Sequence, residues 1–260
     1  AVLHPRLVGM HLEAAGILLL NGLFAPLPPR WASRLGSALG WFLFAVVRLE
    51  RARTLESLAL AFGEGLAARA RVRLAGRCYR HFGAAIAEFL VQPRLVGRLE
   101  RFIALENPEV LEAALAEGKG VLLVAGHLGN WELLLAAAAA RLQPFTTYVG
   151  QQHNAFADAF VNSLRRRAGM GTVTKQAGMR GMLRALKAGG VLAMAADQHF
   201  SRNRYFVRFF GRPVSVAPGL GSLMLHTGAP AVFAETYAVG RLRYRTRFER
   251  LPAPVPSGDE

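Results

Sequence analysis

Cysteine occurs once in the 260 residues, at Cys78. One thiol excludes a disulfide framework and a thiolate metal cluster, and makes a reducing, cytosol-facing compartment the default expectation. Lysine is nearly missing too, standing only at positions 119, 175 and 187, yet 32 basic residues oppose 17 acidic ones for a formal charge of +15. Arginine therefore supplies most of the charge. Its planar, permanently charged fork suits phosphate, while a GC-rich genome accounts for the bias equally well. A pI near 11.4 directs the surface toward polyanions: nucleic acid, anionic lipid or an acidic carrier protein. Also lacking are a nucleotide-binding glycine fingerprint, a Gly-x-Ser-x-Gly elbow, an internal repeat, a low-complexity tract and a linker. His153, His199 and His226 make no metal-ligand pattern, so neither a metal nor a cofactor is expected.

What remains is apolar. With 52% hydrophobic residues, the chain is long enough to bury a substantial core as one large domain, or as a helical region plus one domain. Residues 14–27 and 35–47 are almost wholly apolar, but each is shorter than the roughly 20 residues a spanning helix needs. Arg30, Arg34, Arg48, Arg51 and Arg53, with Trp31 and Trp41, flank these stretches, a pattern that fits helices lying in a membrane surface. An ordinary core hairpin is the alternative. No small-residue cleavage site follows, and position 1 is not an initiator Met.

Farther along, residues 69–90 carry apolar positions at helical spacing, with Arg69, Arg73, Arg77 and Arg80 on the opposite face. Residues 107–117 read as a helix that Gly118 ends. Strand and helix patterns then alternate: strands at 120–126, 145–150, 171–175 and 191–196, helices at 130–142, 153–169 and 178–188. After Arg204 the pattern gives strands at 205–210, 231–238 and 242–248, with a short helix at 217–226. The expected class is α/β: a central, mostly parallel mixed sheet flanked by helices, preceded by an apolar N-terminal helical membrane-associating region. Residues 1–50 form that region and 51–260 the α/β domain.

Gly126-His127-Leu128-Gly129-Asn130-Trp131-Glu132 lies where the buried-strand pattern 120–125 meets a helix. Asn130 suits the helix N-cap, and Glu132 its first turn, where negative charge is favoured. His127 thus falls on the strand-to-helix loop, at the carboxyl end of a strand where open α/β sheets place ligands. A carboxylate on one imidazole nitrogen leaves the other to take a proton from a hydroxyl, so His127 and Glu132 are the candidate base and its partner. The structural alternative is a loop histidine that only hydrogen-bonds Glu132.

His127, four residues, then Glu132, inside Gly-His-Leu-Gly-Asn-Trp-Glu, resembles the His-x4-Asp/Glu signature of glycerolipid-type acyltransferases. The Gly-Asn-Trp-Glu form is similar to that of the bacterial lipid A late acyltransferases and the related phosphatidylinositol mannoside acyltransferases. Further matches follow in that family's order: residues 154–169 with Asn154, Asp158 and Arg165, then Asp197-Gln198, Phe209-Phe210-Gly211 with Pro213, and Gly228-Ala229-Pro230. The resemblance runs from about Pro28 to about Tyr237. Gly150-Gln151 replaces the family's usual Arg-Pro, and His199 follows Asp197-Gln198 where Asp or Asn is commoner. Such enzymes continue past the proline-rich end with another basic, Trp-containing segment, so either that tail is absent or the sequence is a fragment.

The resemblance implies an O-acyltransferase on the cytoplasmic face of a bacterial inner membrane. It would move a fatty acyl chain from acyl carrier protein or acyl-coenzyme A to a hydroxyl of a lipid A precursor or related anionic glycolipid. His127 would be the base and no covalent enzyme intermediate would form. Amides around Gly129, Asn130 and Trp131 are the nearest oxyanion donors. Arg165 is the candidate phosphate ligand. Asp197, at another strand end, would orient Arg165 or accept a hydroxyl, or be a plain salt bridge. Asn154 and Gln198 complete the candidate substrate contacts. Arg204, among Arg202, Arg208 and Arg212, would pair a phosphate-binding rim with an apolar groove of Phe209 and Phe210. Other readings stay open: a phosphatidylinositol mannoside-type or lysophospholipid acyltransferase, a hydrolase, a non-catalytic lipid-binding scaffold, and a nucleic-acid-binding protein, though no nucleic-acid-reading motif is present.

Overall fold

In the computed structural model, which describes residues 5–174, 176–198, 205–217 and 219–254, two proline-started helices lead the chain: α1 (Pro5–Phe24) and α2 (Pro29–Phe42). A π-helical turn, Leu43–Val47, extends α2, and left-handed Arg48 and Glu50 (φ 59° and 49°) swing the chain into α3 (Arg51–Phe62). The long α4 (Ala68–Val91) follows. No single helix among the described residues is long and apolar enough to cross a membrane; 29–47 and 51–65 reach that length only together, across a 96° bend.

Small residues decide how α2 meets α4. Ala32, Ser33, Gly36 and Gly40 are its buried face. A Cβ on Gly36 would lie 2.4 Å from the Gly83 carbonyl oxygen, and one on Gly40 2.1 Å from that of Tyr79, so the two backbones touch. Gly40→Ala is expected to push the helices apart and lower the thermal midpoint, an overpacking loss of about 1–3 kcal/mol. Thermal unfolding checks this, with Gly65→Ala as control because open space surrounds that position. The outward face of the same helix carries large apolar groups: Trp31, Leu35, Trp41 and Phe42, with Val46 and Leu49 beyond, are all exposed.

The α/β part runs β1 (Ile103–Leu105), α5 (Glu109–Ala116), β2 (Val121–Ala125), α6 (Trp131–Ala139), β3 (Phe145–Val149), α7 (Ala155–Arg167), β4 (Gly171–Thr174), α8 (Gly178–Lys187) and β5 (Val191–Ala195). It ends with β6 (Phe206–Phe209), β7 (Arg212–Ser215), α9 (Gly219–Thr227), β8 (Ala231–Gly240) and β9 (Arg243–Arg250). The seven-stranded sheet has the order β1-β9-β8-β2-β5-β3-β4. All its pairings are parallel except β8 with β9, which is the expected mostly parallel mixed sheet with flanking helices. β6 and β7 form a separate antiparallel ribbon.

β2 is buried along its whole length, as a central strand covered on both faces must be. Val121, Leu123 and Ala125 face α5 and α6, while Leu122 and Val124 face α8 and α9. α6 is buried all round. β9 alternates instead, with Tyr244, Thr246 and Phe248 inward and arginines outward, the period of a half-buried strand. β1 and β7 were not expected: the first is three residues long and the second contains Pro213, so neither shows a readable alternation.

Candidate active site

β2 and β5 are parallel neighbours with Ala125 opposite Ala195. His127 and Asp197 each stand two residues past that aligned pair, so the two loops deliver them side by side. The His127 backbone N–H donates to Asp197 Oδ2 at 2.7 Å, and ring Nδ1 lies 2.7 Å from Oδ1. Burial alone would raise the Asp197 carboxyl, but the His127 N–H and imidazole outweigh it and hold the group below the ordinary carboxylate value. An ionised carboxylate only accepts, so Nδ1 carries the donated proton, the tautomer in which an imidazole's remaining lone pair sits on Nε2. Nε2 faces the Gln198 amide at 3.4 Å, and Trp131 meets the ring edge-on with centroids 4.9 Å apart.

The expected partnership of His127 with Glu132 is corrected here. Glu132 lies in the first turn of α6, but its carboxylate is buried toward α7, where Arg165 grips it from the side: Nε to Oε2 at 3.2 Å and Nη2 to Oε1 at 2.5 Å. Arg165 also donates to Asn162 Oδ1 at 3.2 Å. The side chains are only 8% and 16% exposed, so this is a largely desolvated ion pair. Four residues of chain separate Glu132 from His127, and the adjacent strand supplied a nearer carboxylate. By the same token Asp197 binds His127 and not Arg165, whose charge Glu132 already balances.

His127, Glu132 and Arg165 line one cleft of about 450 Å³, with Asp197 bonded to the imidazole. Its walls mix apolar groups, Leu135, Val149, Met194, Ala195, Ala196 and Ala217 among them, with the polar Thr147, Tyr148, Gln152 and Gln198, and Trp131 also faces it.

Other sequence candidates act on the loop or lie elsewhere. Asn130 caps α6, its Oδ1 accepting from the Leu133 N–H at 3.0 Å. Gly129 (φ +58°) packs where a Cβ would stand 2.5 Å from the Thr236 carbonyl oxygen, and His81 Nε2 donates to the Gly129 carbonyl at 2.8 Å. Asn154 does not line the cleft: it caps α7 through the N–H groups of Phe156 and Ala157 and ties α1 through the Met10 carbonyl. Phe209 and Phe210 do not line it either. The β6–β7 ribbon docks on α3, with Phe210 5.3 Å from Phe62 and Arg212 Nε donating to the Leu60 carbonyl. Arg204, Arg202 and His199 lie outside the described residues.

One hub escaped the sequence reading. Glu88 of α4 is 1% exposed and accepts from Ser33 Oγ (2.6 Å), Asn130 Nδ2 (2.8 Å) and the Tyr244 hydroxyl (2.7 Å). Burial and the adjacent Glu88 charge push the Tyr244 phenol far up, so it stays a donor. The available signal was an acidic residue amid the apolar stripe Ala84, Ala85, Ala87 and Val91.

Residues 1–241 match the family described as bacterial lipid A biosynthesis acyltransferase. The chain belongs to that family. It is also similar to the phosphatidylinositol mannoside acyltransferases of two Mycobacterium tuberculosis strains, CDC 1551 / Oshkosh and ATCC 25618 / H37Rv, each 27% identical over 153 residues, 57% of this chain and 48% of the relative. The chain thus spans about half the length of the curated relatives it matches. Within the matched residues, the geometry gives His127 and Glu132 different partners.

Proposed function

We propose that the chain is an O-acyltransferase that moves a fatty acyl group from a thioester donor, acyl carrier protein or coenzyme A, to a hydroxyl of an anionic glycolipid. The observation that carries the reading is the imidazole locked to Asp197 through Nδ1, with Nε2 directed at a cleft walled in part by apolar side chains. A substrate hydroxyl takes the place of the Gln198 amide at Nε2 and gives up its proton there. Its oxygen bonds to the thioester carbonyl carbon, forming a tetrahedral oxyanion. The C–S bond then breaks, and the proton held on Nε2 passes to the departing thiolate, leaving an ester and a free thiol. Backbone amides of 129–131 at the α6 start are the nearest donors for the oxyanion. Glu132 fixes Arg165 at the cleft wall, where its remaining N–H groups are suited to a phosphate of acceptor or donor.

Family membership favours a lipid A precursor as acceptor, and the mycobacterial relatives favour a phosphatidylinositol mannoside; both are phosphorylated glycolipids. The exposed ridge of Trp31, Leu35, Trp41, Phe42 and Val46, bordered by arginines, supports residence on the cytoplasmic face of the bacterial inner membrane, with 1–50 as the membrane-contacting part and the remainder as the acyltransferase domain.

The test incubates the purified protein with membranes and isotopically labelled acyl thioesters, then identifies the labelled lipid by mass spectrometry. An esterified glycolipid is expected, absent with His127→Ala. Labelled free fatty acid in its place would select a hydrolase and sink the transferase reading.

A further inference from the structure

We infer that the arginine-lined pocket at the amino end of α2 binds the phosphate of an anionic phospholipid headgroup. This rests on the membrane-surface reading above and gives it a second contact, separate from the cleft. The pocket, of about 460 Å³, gathers Arg30 from the first turn of α2, Arg94, Arg98 and Arg101 from the turns after α4, and Arg243 from the β8–β9 hairpin. Its floor includes the buried side chains of Leu95 and Leu242.

The turns set the arginine spacing: the Arg98 N–H donates to the Leu95 carbonyl and the Arg101 N–H to the Arg98 carbonyl, so successive arginines return to one side. Arg94 is fixed by donating Nη1 to the Ala25 carbonyl and, at 2.9 Å, to that of Leu27. Among the described residues none of the five guanidiniums has a carboxylate partner, whereas Arg53, Arg141, Arg165, Arg245 and Arg250 each do. Glu100 lines a neighbouring groove together with Arg101 and Arg243 and pairs with neither. Five like charges drawn from segments far apart in sequence repel across a concavity, and a phosphate, which takes two N–H groups of one fork at once, relieves that repulsion.

The choice of a lipid phosphate follows from the rim. Trp31 borders the pocket, is 58% exposed and lies under the Arg34 guanidinium at 5.0 Å. From Trp31 the exposed apolar ridge of α2 continues directly, so headgroup and acyl region are met by one helix. A soluble phosphate or an acidic carrier protein has no use for that ridge.

The experiment compares co-sedimentation of the full chain with vesicles of phosphatidylcholine alone and of phosphatidylcholine doped with phosphatidylglycerol. Arg98→Gln combined with Arg101→Gln is set against Arg69→Gln combined with Arg73→Gln, which removes equal charge from the exposed face of α4. At roughly fivefold per arginine contact, the pocket pair should weaken binding to anionic vesicles by more than about tenfold and leave zwitterionic vesicles unaffected. The control pair should stay within a factor of about three of the unaltered protein. Equal losses in both pairs would reduce the pocket to general charge and overturn the inference while leaving the membrane reading standing; an unaltered protein that binds neither vesicle overturns both. Inorganic phosphate that raises the melting temperature only when Arg98 and Arg101 are present, with vesicle binding unchanged by the double variant, would assign the pocket to a soluble phosphate instead. Loss of turnover with carrier-delivered acyl chains, again with vesicle binding intact, would assign it to the carrier. Either result overturns the lipid assignment.

Discussion

Asp197→Asn is expected to lower kcat by about 10²–10⁴-fold, the range a positioned general base supplies, with the fold intact by circular dichroism. The expected cause is a shifted proton more than a lost charge. Asp197 receives two donors, the His127 backbone N–H and the ring Nδ1–H. The backbone N–H can only donate, so an asparagine must turn its oxygen there and its NH₂ toward Nδ1. Nδ1 then becomes the acceptor, the ring proton moves to Nε2, and the lone pair needed in the cleft is gone. His127→Ala should cost a similar factor, and combining the two should add little, because they disable one device. Steady-state kinetics of the two single variants and the double variant decide this; strictly multiplicative losses would mean that Asp197 does not act through the imidazole. A smaller effect accompanies it. The depressed carboxyl contributes stability that is complete above its ordinary value of 3.8 and is lost as pH falls through the lower folded value. With Asp197 42% exposed, solvent screening keeps that increment small.

Glu132→Ala is expected to strike stability first. Removing the carboxylate leaves the Arg165 guanidinium, 16% exposed, without its counter-charge, and breaking a buried pair from one side costs about 3–5 kcal/mol. Denaturant unfolding should show the midpoint falling accordingly. Glu132→Leu with Arg165→Met, which removes both charges at similar volume, should recover most of that loss. Were Glu132 the imidazole's partner, the alanine variant would instead lose turnover at nearly unchanged stability, and Arg165→Met would not compensate it.

How much of this was legible in sequence divides along the reach of each interaction. Asn130 as N-cap, Glu132 in a first turn, and both His127 and Asp197 at strand ends are local facts, and periodicity and capping chemistry state them directly. Which carboxylate meets which cation is not local. The order β2-β5-β3 places the fifth strand, not the third, beside the second, and that adjacency makes Asp197, for which sequence left an arginine, a hydroxyl or a plain salt bridge open, the histidine's partner. Glu132 reads as a helix-start acid whatever α7 brings against it. The Glu88 hub was hidden because three of its contacts come from α2, the α6 cap and β9, elements far from it in the chain. Both apolar N-terminal stretches were found as helices, but Gly36 and Gly40 were invisible as a contact surface, since close approach needs a partner helix to give it meaning. Phe209 and Phe210 misled for the opposite reason: aromatic-arginine interleaving suits a groove and a two-stranded ribbon equally well.

The placement of the imidazole and its carboxylate has a last implication. Both are reached by counting the same number of steps past one rung of a parallel ladder, so chain length is as much a part of the catalytic specification as residue type. A substitution at Ala196 alters the lining and a Cβ at Gly126 would press on Asp197 Oδ2 at 3.2 Å, whereas an inserted or deleted residue there slides one partner by about 3.3 Å and points it to the other side of the sheet. Drift along this lineage is therefore free to change the chemistry of the cleft wall far more readily than the lengths of these two short connections.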